Sequence, residues 1–294
     1  MAARAGLTLH LLIDTSPSVA LQPAWGAVRA GLSTFLRDGA HAGLQVGIGY
    51  LGTSCTPSTY RSLAAPFGEL PGAAAMLEAS VPLPLTGKAL VPALRGSLEL
   101  DLEIAASDRT RDVALVLITD GVLDPLCGST APLAAADVAA AWAASPPVRT
   151  HVLGLGAGPS LLSPVDLLPL EPLDEVAAAG GTTRARRVAV ELDSGADLAR
   201  ALDETARASL PCAIALAPGE APRDLDVTWT PLGARAVTWP RVRSAAECGD
   251  RAAVHASDAR PDRLELCPAA CEAWSGAPEG RVEVVRGCAS ASSN

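Results

Sequence analysis

Aromatic residues make up only 3% of the 294-residue chain, although hydrophobic residues make up 49%. The core must therefore be built from Ala, Leu and Val, in a chain long enough for one α/β domain plus an addition. Basic clusters are also scarce. Arg184, Arg186 and Arg187 form the densest group, and they flank a predicted strand. With 32 acidic against 23 basic residues and a formal charge of -9, the chain offers no stripe for nucleic acid or anionic membranes. No apolar run reaches the roughly 18 residues of a spanning helix. The first residues show no charged n-region, h-region and cleavage site.

Catalytic signatures are missing as well. There is no G-x-S-x-G, H-E-x-x-H or P-loop. His10, His41, His151 and His255 stand in unrelated contexts, so Ser16 and Ser18 have no positioned base, and a hydrolase reading lacks its water activator. His10 falls inside a strand, where a packed core role is expected. Gly47-x-Gly49-x-x-Gly52 has the spacing of a dinucleotide fingerprint, but its glycines lie inside a predicted strand rather than opening a helix, which excludes that reading.

The sequence is rich in buried-strand patterns followed by helices. Leu7 to Val19 is an apolar run ending in Asp14-x-Ser16-x-Ser18, a carboxylate and two hydroxyls that can converge on one hard cation. Strands are expected at 44–51, 113–119, 149–155 and 187–192, with an edge strand at 60–66. Helices are expected from Pro23 to Gly39 and at 72–79, 90–106, 131–145, 173–179 and 196–210. Val113 to Thr119 is apolar throughout, as in strands covered on both faces of a parallel sheet. It ends in Asp120-Gly121. The alternation predicts a doubly wound, mostly parallel α/β sheet over residues 5–210, with ligands beyond the carboxyl ends of its strands. From residue 211 to 294 short strand-like pieces alternate with Pro and Gly turns, predicting a small cysteine-rich, β-rich addition.

Asp14-x-Ser16-x-Ser18, a Thr-containing loop before a helix, and Thr119-Asp120-Gly121 together resemble the von Willebrand factor A (VWA) domain with its metal-ion-dependent adhesion site. Several features further resemble exported VWA proteins and lipoproteins of myxobacteria. These are Cys55, Cys127, the run Ala178-Ala179-Gly180-Gly181-Thr182, Leu210-Pro211-Cys212, Leu266-Cys267-Pro268-x-x-Cys271 and Gly287-Cys288. The resemblance implies a cation, Mg²⁺ or else Mn²⁺ or Ca²⁺, held by Asp14, Ser16, Ser18 and Asp120. An open coordination position would accept an acidic side chain of a protein partner, giving adhesion rather than catalysis. Without a cation, and with no intervening base, the two acids would repel. The third loop departs from the family pattern. Thr86 aligns with the second Thr of T-x-T-G-x-A-L, and Pro84, which has no side-chain oxygen, stands at the ligand position. A scaffold that has lost its metal is therefore the alternative.

Cys55 and Cys127 both follow strands at the edge that carries these loops, so a disulfide is expected there. Cys212, Cys248, Cys267, Cys271 and Cys288 are expected to give two disulfides and one remaining thiol, with the pairing open. A zinc site of Cys248, His255, Cys267 and Cys271 is the competing arrangement. The cysteines favour an exported chain.

Overall fold

A computed structural model describes residues 6–20, 24–80, 87–121, 126–156, 171–189, 195–216, 225–231, 233–257, 263–276 and 281–286. The chain divides into two compact units. The larger comprises residues 7–108 and 112–209. The smaller gathers residues 210–294 with 1–6 and 109–111.

The larger unit is a six-stranded α/β sheet. Its strands are β1 (Gly6–Ile13), β2 (Gln45–Tyr50), β3 (Ala65–Glu69), β4 (Arg111–Thr119), β5 (Val148–Gly156) and β6 (Arg186–Ala189), in the order β3-β2-β1-β4-β5-β6. β1 runs parallel to β2, and β4 to β5 and β6, while β3 is the antiparallel edge. An edge strand loses little by containing Pro66, because only one side of it must pair. Tyr60 and Arg61, expected to begin this strand, instead end a 3-10 turn over Pro57–Arg61 with Pro57 at its start.

Alternation along β4 shows why the central strands read as continuous apolar runs. Val113, Leu115 and Leu117 join one core with Leu12, Val148 and Val152. Ala114, Val116 and Ile118, also buried, point to the opposite face. The first core is completed by α4 (Leu90–Ser107), α5 (Ala131–Trp142) and α6 (Glu171–Ala179). Among the remaining helices, α1 (Pro17–Ala20) is a single turn, and α2 (Ala24–Arg37) packs with α3 (Ala74–Ala79) and α7 (Ala196–Ser209). The apolar stripe Trp25, Val28, Leu32, Phe35 and Leu36 of α2 is buried.

The strand glycines answer to packing. A Cβ at Gly47 would come within 2.7 Å of the Phe67 ring, so the missing side chain admits the edge strand's aromatic. His10 is fully buried, as a strand position implies, and its Nδ1 lies 2.9 Å from Asp101 Oδ1 on α4.

The smaller unit holds two three-stranded sheets. One is β10 (Val254–Ala256), β11 (Arg263–Leu266) and β7 (Ala213–Ala215); the other is β12 (Arg281–Arg286), β8 (Leu225–Thr230) and β9 (Val237–Trp239). It also contains a helix that the β-rich reading missed, α8 (Pro268–Gly276). Pro268 suits the first turn of a helix, where its missing N–H costs nothing. Trp229 and Trp239 stack at 5.6 Å, with Trp274 of α8 beside Trp239 at 6.4 Å.

Disulfides join Cys55 to Cys127, Cys212 to Cys271 and Cys248 to Cys267. The zinc alternative is thereby corrected, since Cys248, Cys267 and Cys271 have no thiolate left to offer. Cys288 lies outside the described residues.

Candidate functional site

The strand order reverses direction at the centre of the sheet. From β1 the chain winds outward to β2 and β3, then returns to β4 on the other side of β1 and proceeds to β5 and β6. The carboxyl ends of β1 and β4 therefore meet at a topological switch point, where open α/β sheets gather their ligands. The Asp14 amide donates to the Ile118 carbonyl at 2.8 Å, which sets Asp14 and Asp120 side by side.

Asp14 is fully buried and held from two sides. Its Oδ1 accepts from the Ser16 amide at 2.9 Å, the local turn that Asp favours after a strand. Its Oδ2 accepts from the Thr119 hydroxyl at 2.7 Å. Thr119 Oγ1 in turn accepts from the Gly121 amide at 3.3 Å, and Gly121 adopts φ 82°, a left-handed turn that costs glycine nothing. Thr119 thus fixes the acid's orientation and the loop after β4 together, a role that follows from its place at the last residue of the strand.

Between the two carboxylates sits Lys88. Its Nζ lies 2.6 Å from Asp14 Oδ2 and also donates to Asp120 Oδ1. The side chain is 3% exposed. Lys88 is the only lysine in the chain, where Arg supplies every other cationic side chain. The expectation that no base intervenes between the two acids is therefore corrected. The motif alignment passes over Lys88 because its place in T-G-x-A-L is the unconstrained one, and the overall charge count merges it with the arginines.

Lys88 stands just ahead of α4, beside a backbone tether at Ala89. The Ala89 amide donates to the Gly52 carbonyl beyond β2 at 2.8 Å, and α4 begins at Leu90. The Val91 amide, in the first turn of α4, donates to Ser129 Oγ at 3.2 Å, satisfying a helix-end donor from the loop that precedes α5. Gly96 of α4 allows a close approach of the segment that follows Cys55, since a Cβ there would come within 1.9 Å of the Pro57 carbonyl oxygen. The Tyr60 hydroxyl donates to the Ser54 carbonyl at 2.9 Å, and burial raises the Tyr60 pKa above its ordinary value. The Cys55–Cys127 disulfide then ties the loop after β2 to the loop after β4, with Cα atoms 5.3 Å apart.

Of the residues proposed to hold a cation, the structure brings Asp14, Ser16 and Asp120 to one place. Ser18 falls in α1, and its side chain, like Thr86 and Pro84, lies outside the described residues. Among the described residues no three His, Cys, Asp or Glu side chains gather as a metal site. The ligand set does not fit a divalent ion in the arrangement seen. Asp14 Oδ2 already accepts from an ammonium and a hydroxyl, which engages both its lone pairs, and the ammonium is a like charge at the same position.

No family model and no curated protein matches the chain. Among solved structures it resembles the pilus adhesin SpaC from Lactobacillus rhamnosus GG (TM-score 0.50, 13% identity, 89% of this chain and 37% of that one). It also resembles proximal thread matrix protein 1 from the mussel byssus (TM-score 0.49, 14% identity, 74% of this chain and 51% of that one). A third is the PilB minor pilin from Streptococcus sanguinis (TM-score 0.46, 12% identity, 69% and 61%). The chain spans little more than a third of the SpaC adhesin's length. At such identities the likeness concerns the fold alone. The fold is VWA-like, with structural neighbours that include adhesion proteins. Its three disulfides suit an oxidising environment, and among the described residues no helix is long and apolar enough to cross a membrane.

Proposed function

We propose that the chain is an exported protein-recognition module of the VWA type, a relative of the cysteine-rich proteins it resembles in sequence. Its partner docks on the loops at the carboxyl edge of the sheet, and it performs no catalysis. The observation that supports this reading is the meeting of the β1 and β4 carboxyl ends with Lys88 at the switch point, together with the Cys55–Cys127 link between the segments after β2 and β4. Rigid loops on a fixed scaffold lose little entropy on binding. An acidic partner held through a metal bridge does not suit this edge. The one cation at this position already faces two carboxylates and has no charge to spare. Recognition then rests on the shape and polarity of the rim rather than on a coordinated ion.

Site-specific photocrosslinking tests the assignment. A photoreactive residue replaces Pro17, exposed beside the site, or Pro147, exposed at the opposite edge before β5. The two variants are presented to intact cells of the source. Adducts from position 17 that survive EDTA, with none from position 147, are expected. Adducts from position 147 alone would place the recognition surface elsewhere.

A further inference from the structure

We propose that Lys88 is the resident cation of this site, a covalently attached substitute for the divalent ion, and that its removal uncovers a latent divalent-cation site. The inference deepens the recognition reading above, and its tests need no partner, so it stands or falls separately.

Three observations carry it. First, the ammonium occupies the bridging position between Asp14 and Asp120, the position a cation shared by both acids would take. Second, the arrangement is buried on all sides. Asp14 is fully buried, Lys88 is 3% exposed, and Asp120 is 8% exposed as a residue. Charges so removed from water persist only when paired and hydrogen-bonded, and this group meets that condition through Thr119, the Ser16 amide and the ammonium. Third, the residue type is specific. An ammonium is a compact point charge with donors that rotate to suit their acceptors, whereas guanidinium is a wide planar fork. A chain that otherwise employs only arginine holds its one lysine where a metal-sized cation is required.

Removing the ammonium leaves two carboxylates facing each other in a buried pocket beside the Ser16 amide and the Thr119 hydroxyl. Such an oxygen-rich, net-negative set suits Mg²⁺ or Mn²⁺. In the Lys88→Ala variant the cation would take the vacated place, with water completing its coordination. The wild type, already neutralised in part, would gain nothing from the same ion.

Two measurements test this. Thermal unfolding of wild type and Lys88→Ala is followed in EDTA and in Mn²⁺ or Mg²⁺. The expected result is a wild-type midpoint that does not move and a variant midpoint that rises with cation; Asp14→Ala combined with Lys88→Ala should abolish the rise. A wild-type midpoint that rises with cation and loses the rise in Asp14→Ala overturns the proposal. Should Lys88→Ala not fold, the unique lysine supplies a second reading on the intact protein. An amine-selective acylating reagent has only Lys88 and the α-amino group to modify. Labelling of Lys88 requires local opening, so it should proceed at least about 100-fold more slowly than at the α-amino group and be indifferent to Mn²⁺. Rapid labelling, or labelling accelerated by Mn²⁺ as the ion displaces the ammonium, overturns the proposal.

Discussion

The two units of this chain solve the problem of stability with different materials. The larger buries continuous aliphatic strands between helical layers and carries one disulfide within its 200 residues. The smaller has short strands, three of the chain's five tryptophans and two disulfides. Small units expose more surface per buried residue, so covalent links and large aromatic side chains replace a deep core. The contrast also separates two uses of a disulfide. Cys212–Cys271 ties the start of β7 to α8, and Cys248–Cys267 ties a turn to the end of β11, both around a sheet too small to hold itself. Cys55–Cys127 restrains two loops on a sheet that is already stable, and so serves the geometry of an edge rather than the survival of a fold.

Reduction should break this symmetry most strongly. Chain-entropy arguments assign about 4 kcal/mol to a link across 59 residues and about 3 kcal/mol to one across 19. Their sum, roughly 7 kcal/mol, falls within the whole stability of an ordinary domain, about 5–15 kcal/mol. A reductant under native conditions is therefore expected to abolish the near-ultraviolet signal of the Trp229–Trp239–Trp274 group while far-ultraviolet helicity largely persists. Loss of both signals in one transition would show that the units do not differ in this way.

The larger unit has a corresponding point of weakness at its switch point. Lys88→Met leaves Asp14 and Asp120 facing each other without a counter-charge, and breaking a buried ion group from one side costs about 3–5 kcal/mol. In EDTA, chemical denaturation should show that loss in the larger unit and none in the unit that holds Trp229, Trp239 and Trp274. Adding Asp14→Asn and Asp120→Asn to Lys88→Met should recover most of it, because the repulsion is then gone. A triple variant as unstable as the single one would mean that Lys88 stabilises through the packing of its stem rather than its charge.

Much of the larger unit is legible in the sequence because its signals are local. An apolar run such as Val113 to Thr119 cannot be accommodated except as a covered strand, and its terminal acid then falls at a sheet edge whatever else the chain does. The antiparallel edge is harder to read, since Pro57, Pro66 and Pro71 interrupt the pattern that would separate the 3-10 turn from β3. Lys88 is illegible for a different reason. Its two acid partners lie 74 and 32 residues away in sequence, and burial of its ammonium depends on a tether from Ala89 to the Gly52 carbonyl that no periodicity encodes. The His10–Asp101 pair is of the same kind, joining a strand to a helix across 91 residues. In the smaller unit the cysteines draw attention from Pro268-Ala-Ala-Cys271, whose Pro and Ala are good residues for opening a helix.

The mildest probe of the contrast is acid. His151 on β5 is partly buried, and desolvation, reinforced by the neighbouring Arg149 charge, lowers its pKa to about 4. Ser209 on α7 donates its single hydroxyl proton to the Thr205 carbonyl at 2.8 Å, so it must accept from His151 Nε2, also at 2.8 Å. The native state thus holds His151 neutral, whereas the unfolded chain protonates it near pH 6.5. Below that value the unfolded state binds more protons, and stability falls as pH falls. The contribution is fully present above pH 6.5 and is lost as pH drops towards 4, amounting to about 2 kcal/mol by pH 5. His41, whose pKa burial also lowers against the partial opposition of Asp38 and Asp203, acts in the same direction. Both histidines belong to the larger unit, so denaturation midpoints at pH 7 and pH 5 should separate there while the tryptophan signal of the smaller unit changes little. His151→Gln, which keeps a side-chain amide donor for Ser209 but cannot titrate, should remove most of the difference. An unchanged pH dependence in that variant would assign the acid sensitivity to other groups.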